Sequence, residues 1–568
     1  MKKLNSAAFV KSFLILFFSV ILNNIYSQSE KEKMNNEFSQ FLKQYVEKAD
    51  RLSKEANLAY FNATISGKKE DYDKSADLEI QKSKIYTSKE DFAKLKKWKE
   101  SNQITDPIQK RVLDVLYDAY LENQINENEL AEMINMRTDI ENKFSTYRAE
   151  VNGKKFTDNE IEDILKNSTD SKELKDAWMA SKKIGKVVAD DVIKLAKMRN
   201  QSARELGFKN FHDMSLRLSE QDPNEIEKLF DELDNLTRSS FAKLKSEMDD
   251  VLAKKYNISK DELMPWHYQN RFFQEAPKIY NVDLDTYYKD KNVVDLTKAY
   301  YKGIGLPIDE MVEKSDLYEK EGKYQHAYCT NIDREGDVRV VCNIKPNYNW
   351  MNTALHEFGH AVYDHYLDHT IDWELREPAH TFTTEAIAMM FGRFASSPAW
   401  MKDMLNISDE EKARIAEEGF KSLRLEQLVF SRWVQVVYRF EKSMYDNPDQ
   451  DLNKLWWDLV EKYQMIKRPA DRNEPDWASK IHIASYPCYY HNYMLGELLA
   501  SQLYYHITEK VLNSTDYKNQ SFANKPEVGK FLTEKIFRPG RIYFWNDMIE
   551  KATGEKLTAK YYAKQFVD

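Results

Sequence analysis

Apolar residues recur at spacings of three and four over long reaches of this chain. Asn126–Val151 (NENELAEMINMRTDIENKFSTYRAEV) is one such run, and Val187–Arg217 reads the same way. These spacings put side chains on one helical face and predict amphipathic α-helices. The pattern continues through Glu410–Tyr445 and Met494–Asn513. Pro107 is the single proline ahead of Pro223, in a stretch dense in Lys, Glu, Leu and Asn that favours a run of helices. Strict alternation is scarce. Asp337–Ile344 (DVRVVCNI) is the best strand candidate, and with Cys329–Cys342 (CTNIDREGDVRVVC) it reads as a hairpin. No repeat or low-complexity linker interrupts the pattern. The expectation is a mostly α protein with one small antiparallel β element. Residues 28–568 read as a single helical domain, with helices over about 28–125 as a lid.

The 568 residues are 42% hydrophobic and 31% charged, enough for a large buried core. The net charge of −9 excludes the basic stripe of a nucleic-acid binder. At the start, MKKLNSAAFVKSFLILFFSVILNNIYSQ has the form of a secretory signal over residues 1–27. Lys2 and Lys3 are its positive end, Phe13–Leu22 its apolar run and Ile25-Tyr26-Ser27 its cleavage site. The apolar run is short for a membrane span, and no cysteine stands near the cleavage point to carry a lipid. The expected mature protein is soluble and exported, to a periplasm or the medium. Three cysteines make no disulfide framework. A hairpin turn centred on Glu335-Gly336 would set Cys329 opposite Cys342, leaving either a disulfide or two buried thiols.

Trp350–Tyr366, WMNTALHEFGHAVYDHY, adds chemistry to a helical pattern. On a helix His356 and His360 are offset by only about 40°, and Glu357 lies roughly 60° from His360. Two imidazoles so placed grip one metal ion, and the carboxylate between them reaches an attacking water. Leu355, Phe358, Ala361 and Val362 around the motif suit a buried site. A third histidine six residues further on is excluded by Tyr363 and Tyr366. His365 and His369 fit no ligand spacing and read as ordinary polar residues. The remaining solution is a carboxylate from a following helix. Thr381–Phe394 (TFTTEAIAMMFGRF) carries Glu385 near its start; Glu374 and Glu377, in a less regular connection, are weaker candidates. The expected ligands are His356, His360 and Glu385 around one Zn2+ per chain, with Glu357 as general base.

The stretch HEFGHAVYDHYLDHTIDWELREPAHTFTTEAIAMMFGRF resembles the zinc-site region of peptidyl-dipeptidases of the angiotensin-converting-enzyme type. HEFGH is also the form of the related thimet-oligopeptidase type. The likeness takes in VVCNI, YQMIKRPADRNEPDWASKIHIASYPCYYHNY and, more faintly, AWMASKKIGKVVADDVIKLAKMRNQSARELGF, so it runs from about Leu130 to the C-terminus. It implies a two-lobed helical gluzincin with a deep central channel and lid helices that admit short peptides. It also implies roles. Tyr493 matches the tyrosine that stabilises the oxyanion, and His482 the histidine that supports it. Lys480 and Tyr490 match the pair holding the substrate's terminal carboxylate, and Arg472 matches an upstream arginine. Tyr490 and Tyr493, one helical step apart, are able to face one cavity. The VRVVCNI strand is expected to offer a backbone edge for an extended peptide.

Several positions depart from the family. The aspartate that orients a zinc histidine is Met389 here, and the arginine tied to chloride activation is Asn492. The cysteine partner of Cys342 is missing, and the carboxylate-pocket glutamine has only Gln269 as a weak counterpart. The leading expectation is an exported zinc metallopeptidase that releases C-terminal dipeptides from short peptides. Its rivals are a zinc oligoendopeptidase indifferent to the free C-terminus and a catalytically silent peptide-binding homologue. No nucleic acid and no lasting membrane anchor are expected.

Overall fold

The computed structural model describes residues 6–280 and 282–567, with side chains from Glu30 onward. The expected leader, residues 1–27, lies outside the described side chains. About 69% of the chain is helical, with two antiparallel strand pairs, as the periodicity predicts. Among the described residues no helix is long and apolar enough to cross a membrane.

The chain divides into two compact units. The first gathers the chain up to Gln124 and the distant segment His369–Arg376. Its helices are Ser6–Ser66, Lys69–Tyr86, Lys89–Ser101 and Pro107–Glu122. Pro107 opens a helix rather than breaking one, because the first-turn N–H it lacks has no intrahelical partner anyway. Asp106 caps that turn by accepting from Ile108 and Gln109. Trp98 meets Phe38 at 5.2 Å between ring centroids, and Trp373 donates to Asp50 at 3.0 Å, which ties the distant segment in.

The second unit carries the candidate chemistry. The run expected to be helical to Val151 stops at Thr146. Strands β1 (Ala149–Val151) and β2 (Lys154–Phe156) follow, joined by Asn152-Gly153. Both turn residues have positive φ, 51° and 78°, the backbone of a two-residue hairpin turn. The Val187–Arg217 pattern is likewise two helices, Ser171–Glu205 and Phe211–Leu218, parted at Gly207. Asp409–Asp446 matches its expected span within a residue at each end.

The second hairpin pairs β3 (Tyr328–Asn331) with β4 (Val338–Val341). Its register corrects two expectations. Cys329 faces Val340 and Tyr328 faces Val341, so continuing the ladder sets Ala327, not Cys329, across from Cys342. Cys329, Cys342 and Cys488 are all free thiols. Nor does β4 offer an open edge: its far side bonds to Asp316 and Leu317, through Asp316 N–Val340 O, Cys342 N–Asp316 O and Ile344 N–Leu317 O, each 2.9 Å. The strand at the margin of the sheet is β3.

The motif helix Tyr348–His365 packs against this hairpin, the glutamate helix Thr381–Gly392 against the motif helix, and the tyrosine helix His491–His506 against the glutamate helix. Two glycines set their spacing. A Cβ on Gly359, inside the HEFGH motif, would lie 2.7 Å from Cα of Ala388; one on Gly496 would lie 3.3 Å from Cβ of Glu385. At Gly359 the facing atoms are backbone, which leaves no flexible atom to yield. Gly359→Ala is therefore expected to destabilise the fold by about 1–3 kcal/mol and to weaken metal uptake by spreading the two helices. Thermal melting and metal titration of the variant check this.

Candidate metal centre

His356 and His360 project from the middle of the motif helix, whose start is fixed by Asn347 accepting from Trp350 N at 2.8 Å. Glu385 comes from the second turn of the glutamate helix. The carboxylate Oε2 lies 3.7 Å from His356 Nε2 and 3.8 Å from His360 Nε2. Among the described residues this is the one group of three or more metal-binding side chains whose donors fall together, all within 4.8 Å. The set fits a zinc ion: two imidazole nitrogens and one carboxylate oxygen, with one position left open. Donors that share a tetrahedral ion at 2.0–2.2 Å stand roughly 3.4 Å apart, close to the spacing here.

The alternatives fall away. Glu377 is spent on Arg334 and Arg541. Glu374 sits in a short 3-10 turn, Trp373–Leu375, and is not among the grouped donors. His365 bonds the carbonyl of Gly336 at 3.1 Å.

Burial sets the charge state. It pushes the His356 pKa down to about 4, and burial with His356 alongside pushes His360 down as well, so both rings are neutral and present lone pairs. Burial, then Glu385, raises Glu357 to about 8, and burial raises Glu385 to about 7. Two carboxyls crowded in an apolar pocket call for a cation, which reverses their shifts when bound.

Two residues at the centre were not legible in the sequence. His360 Nδ1 lies 2.7 Å from Thr384 Oγ1, beside Glu385 in the chain. Met389 instead packs its sulfur toward Gly496, where an added Cβ would lie 3.2 Å away. The second is Gln274, whose Oε1 accepts from Lys480 Nζ at 2.6 Å. Gln269, the weak counterpart named from the resemblance, accepts through Oε1 from the Lys278 backbone at 3.0 Å.

The structure brings the second predicted cluster together. Tyr490 is the hub: its ring lies 5.2 Å from Lys480 Nζ and 5.3 Å from both the His482 and Tyr493 rings. Glu385 acts electrostatically on Tyr493, so the cluster adjoins the metal donors. His482 Nδ1 is buried without a hydrogen-bond partner. Lys480 is 7% exposed, and burial, then Arg271, lowers its pKa to about 8. Arg472 is a brace, bonded through Nε to Asp476 at 2.6 Å and stacked 4.9 Å over Trp178. Asn492 is buried in a neutral network. It accepts from Gln221 at 2.7 Å, and Gln221 also meets His491 Nε2 at 2.6 Å.

A helical body that gathers two neutral imidazoles and a carboxylate has the make-up of a metallopeptidase. The family comparison supports the same class: the peptidase family M2 model, described as angiotensin-converting enzyme, matches residues 32–566. The chain belongs to the angiotensin-converting-enzyme family of zinc metallopeptidases. The match reaches further toward the N-terminus than the motifs alone. Angiotensin-converting enzyme of Theromyzon tessulatum is 23% identical over 515 residues, 83% of this chain and 81% of that protein. Thermostable carboxypeptidase 1 of Pyrococcus furiosus is 24% identical over 251 residues, 40% of this chain and 49% of that protein. The rat angiotensin-converting enzyme is 23% identical over 464 residues, 75% of this chain but 35% of that longer protein.

Proposed function

We propose that the chain is an exported zinc peptidyl-dipeptidase that removes C-terminal dipeptides from short peptides. His356, His360 and Glu385 hold the metal. Zinc, when bound, supplies Lewis acidity, drawing electron density from an attacking water and from the scissile carbonyl. Glu357, next to His356 on the motif helix, takes the proton of that water as a positioned general base and passes it to the leaving amine. The Tyr493 hydroxyl and His482 donate to the developing oxyanion. Lys480, aided by Tyr490 and Gln274, captures the terminal carboxylate.

One observation supports a cut near the substrate's C-terminus. From Lys480 Nζ to the Tyr490 ring is 5.2 Å, and from that ring to Tyr493 is 5.3 Å. Extended chain advances roughly 3.5 Å per residue, so these two legs keep Lys480 Nζ within about three residues of the Tyr493 ring, which supports a cut close to the chain end. An oligoendopeptidase would have no use for a nearly buried lysine aimed at a chain end.

A peptide and its C-terminally amidated twin test this reading. The free acid is expected to be cleaved with a kcat/KM at least about tenfold higher, since a charge-assisted hydrogen bond contributes roughly 1.5–3 kcal/mol. Lys480 is cationic below its pKa of about 8 and neutral above it. The advantage should therefore fade as pH rises from 7 to 9, leaving the amide's rate without that step. Equal rates for the two peptides would eliminate the carboxylate clamp. Export is tested separately: the mature N-terminus, read by mass spectrometry, should fall near Gln28.

A further inference from the structure

We infer that Thr384 is a positioning residue for the metal centre, holding His360 in the tautomer and orientation that present Nε2 to the ion. This inference rests on the zinc reading above. An imidazole that ligates through Nε2 carries its proton on Nδ1, and that N–H needs an acceptor to fix the ring. The two nitrogens face different partners. Nε2 is the atom 3.8 Å from Glu385 Oε2, and Nδ1 is the atom 2.7 Å from Thr384 Oγ1. Without an acceptor the other tautomer competes, and its Nε2 has no lone pair to give.

The placement of Thr384 matters as much as its chemistry. It precedes Glu385 directly, so one turn of the glutamate helix delivers both a ligand and the support of another. The neighbouring Thr383 behaves differently, donating its hydroxyl to the His380 carbonyl at 2.7 Å in the first turn. Thr384 is β-branched, which narrows its side chain to few rotamers on a helix. Gly359 brings the motif helix against this same helix, with its Cβ position 2.7 Å from Ala388 Cα. The His360–Thr384 bond thus spans the closest helix pair in the unit's metal-binding region. Four residues after Glu385 stands Met389, a thioether that accepts hydrogen bonds only weakly. A neutral hydroxyl on the other side of Glu385 does the orienting. It adds no negative charge to the imidazole, so the ion keeps more of its pull on substrate oxygens.

The test compares Thr384→Val, which keeps shape and removes the acceptor, with Thr384→Ser, which keeps the acceptor. Zinc dissociation constants are measured by chelator competition on the full chain, and melting of the metal-free forms checks the fold. Thr384→Val is expected to bind zinc about 10–100-fold more weakly, with unchanged metal-free melting, and to regain hydrolysis in excess zinc. Thr384→Ser should stay within a few-fold of wild type. If Thr384→Val lowers the metal-free melting point, Thr384→Ala, which adds no bulk, replaces it under the same criterion. Wild-type zinc affinity in the valine variant, or equal weakening by serine and valine, overturns the inference. A wild-type chain that binds no zinc instead refutes the metallopeptidase centre itself, so the two failures are distinct.

Discussion

Glu357→Gln is expected to bind zinc as wild type does and to lose hydrolysis by about 10²–10⁴-fold, the usual worth of a positioned general base. The substitution keeps the size of the side chain and removes its capacity to take a proton. Glu357 is buried between apolar neighbours on the motif helix, and Glu385 raises its pKa further. A glutamine there ends the unfavourable crowding of two carboxyls, so the metal-free protein should melt no lower than wild type. Metal content, melting and peptide turnover, measured together, separate a lost base from a lost fold. Turnover near the wild-type rate would mean that another group accepts the proton.

Tyr493→Phe is the second large effect. Loss of one preorganised donor to an oxyanion typically lowers kcat by about 10²–10³-fold. The donor acts on charge that exists only in the transition state, so KM should change little. The phenylalanine ring preserves the edge-on contacts with Tyr489 and Tyr490, at 5.5 and 5.3 Å, so the cluster should stay packed. A KM rise with unchanged kcat would assign Tyr493 to substrate binding instead.

How much of this was readable beforehand depended on how local each feature is. His356 and His360 share a helical face by spacing alone, whatever surrounds them. Helix spans were legible where long amphipathic patterns ran without interruption, as in Asp409–Asp446. The Asn152-Gly153 hairpin was hidden because a helical stripe ran straight into it, although Asn-Gly is itself a strong turn signal. Gln274 was unreadable for another reason: it meets Lys480 across 206 residues, and nothing near it in the chain announces the contact. Thr384 depended on how the motif and glutamate helices meet in three dimensions, where Gly359 lies against Ala388. The peptide-binding edge was misassigned because a two-strand reading could not see that Asp316 and Leu317 cover β4.

The metal content of the purified chain bears most directly on all of this. One zinc per chain is predicted for the wild-type protein, and a Glu385→Ala variant should lose nearly all of it while keeping its helical content. A wild-type chain without stoichiometric metal, or a variant that retains the full complement, would contradict the account.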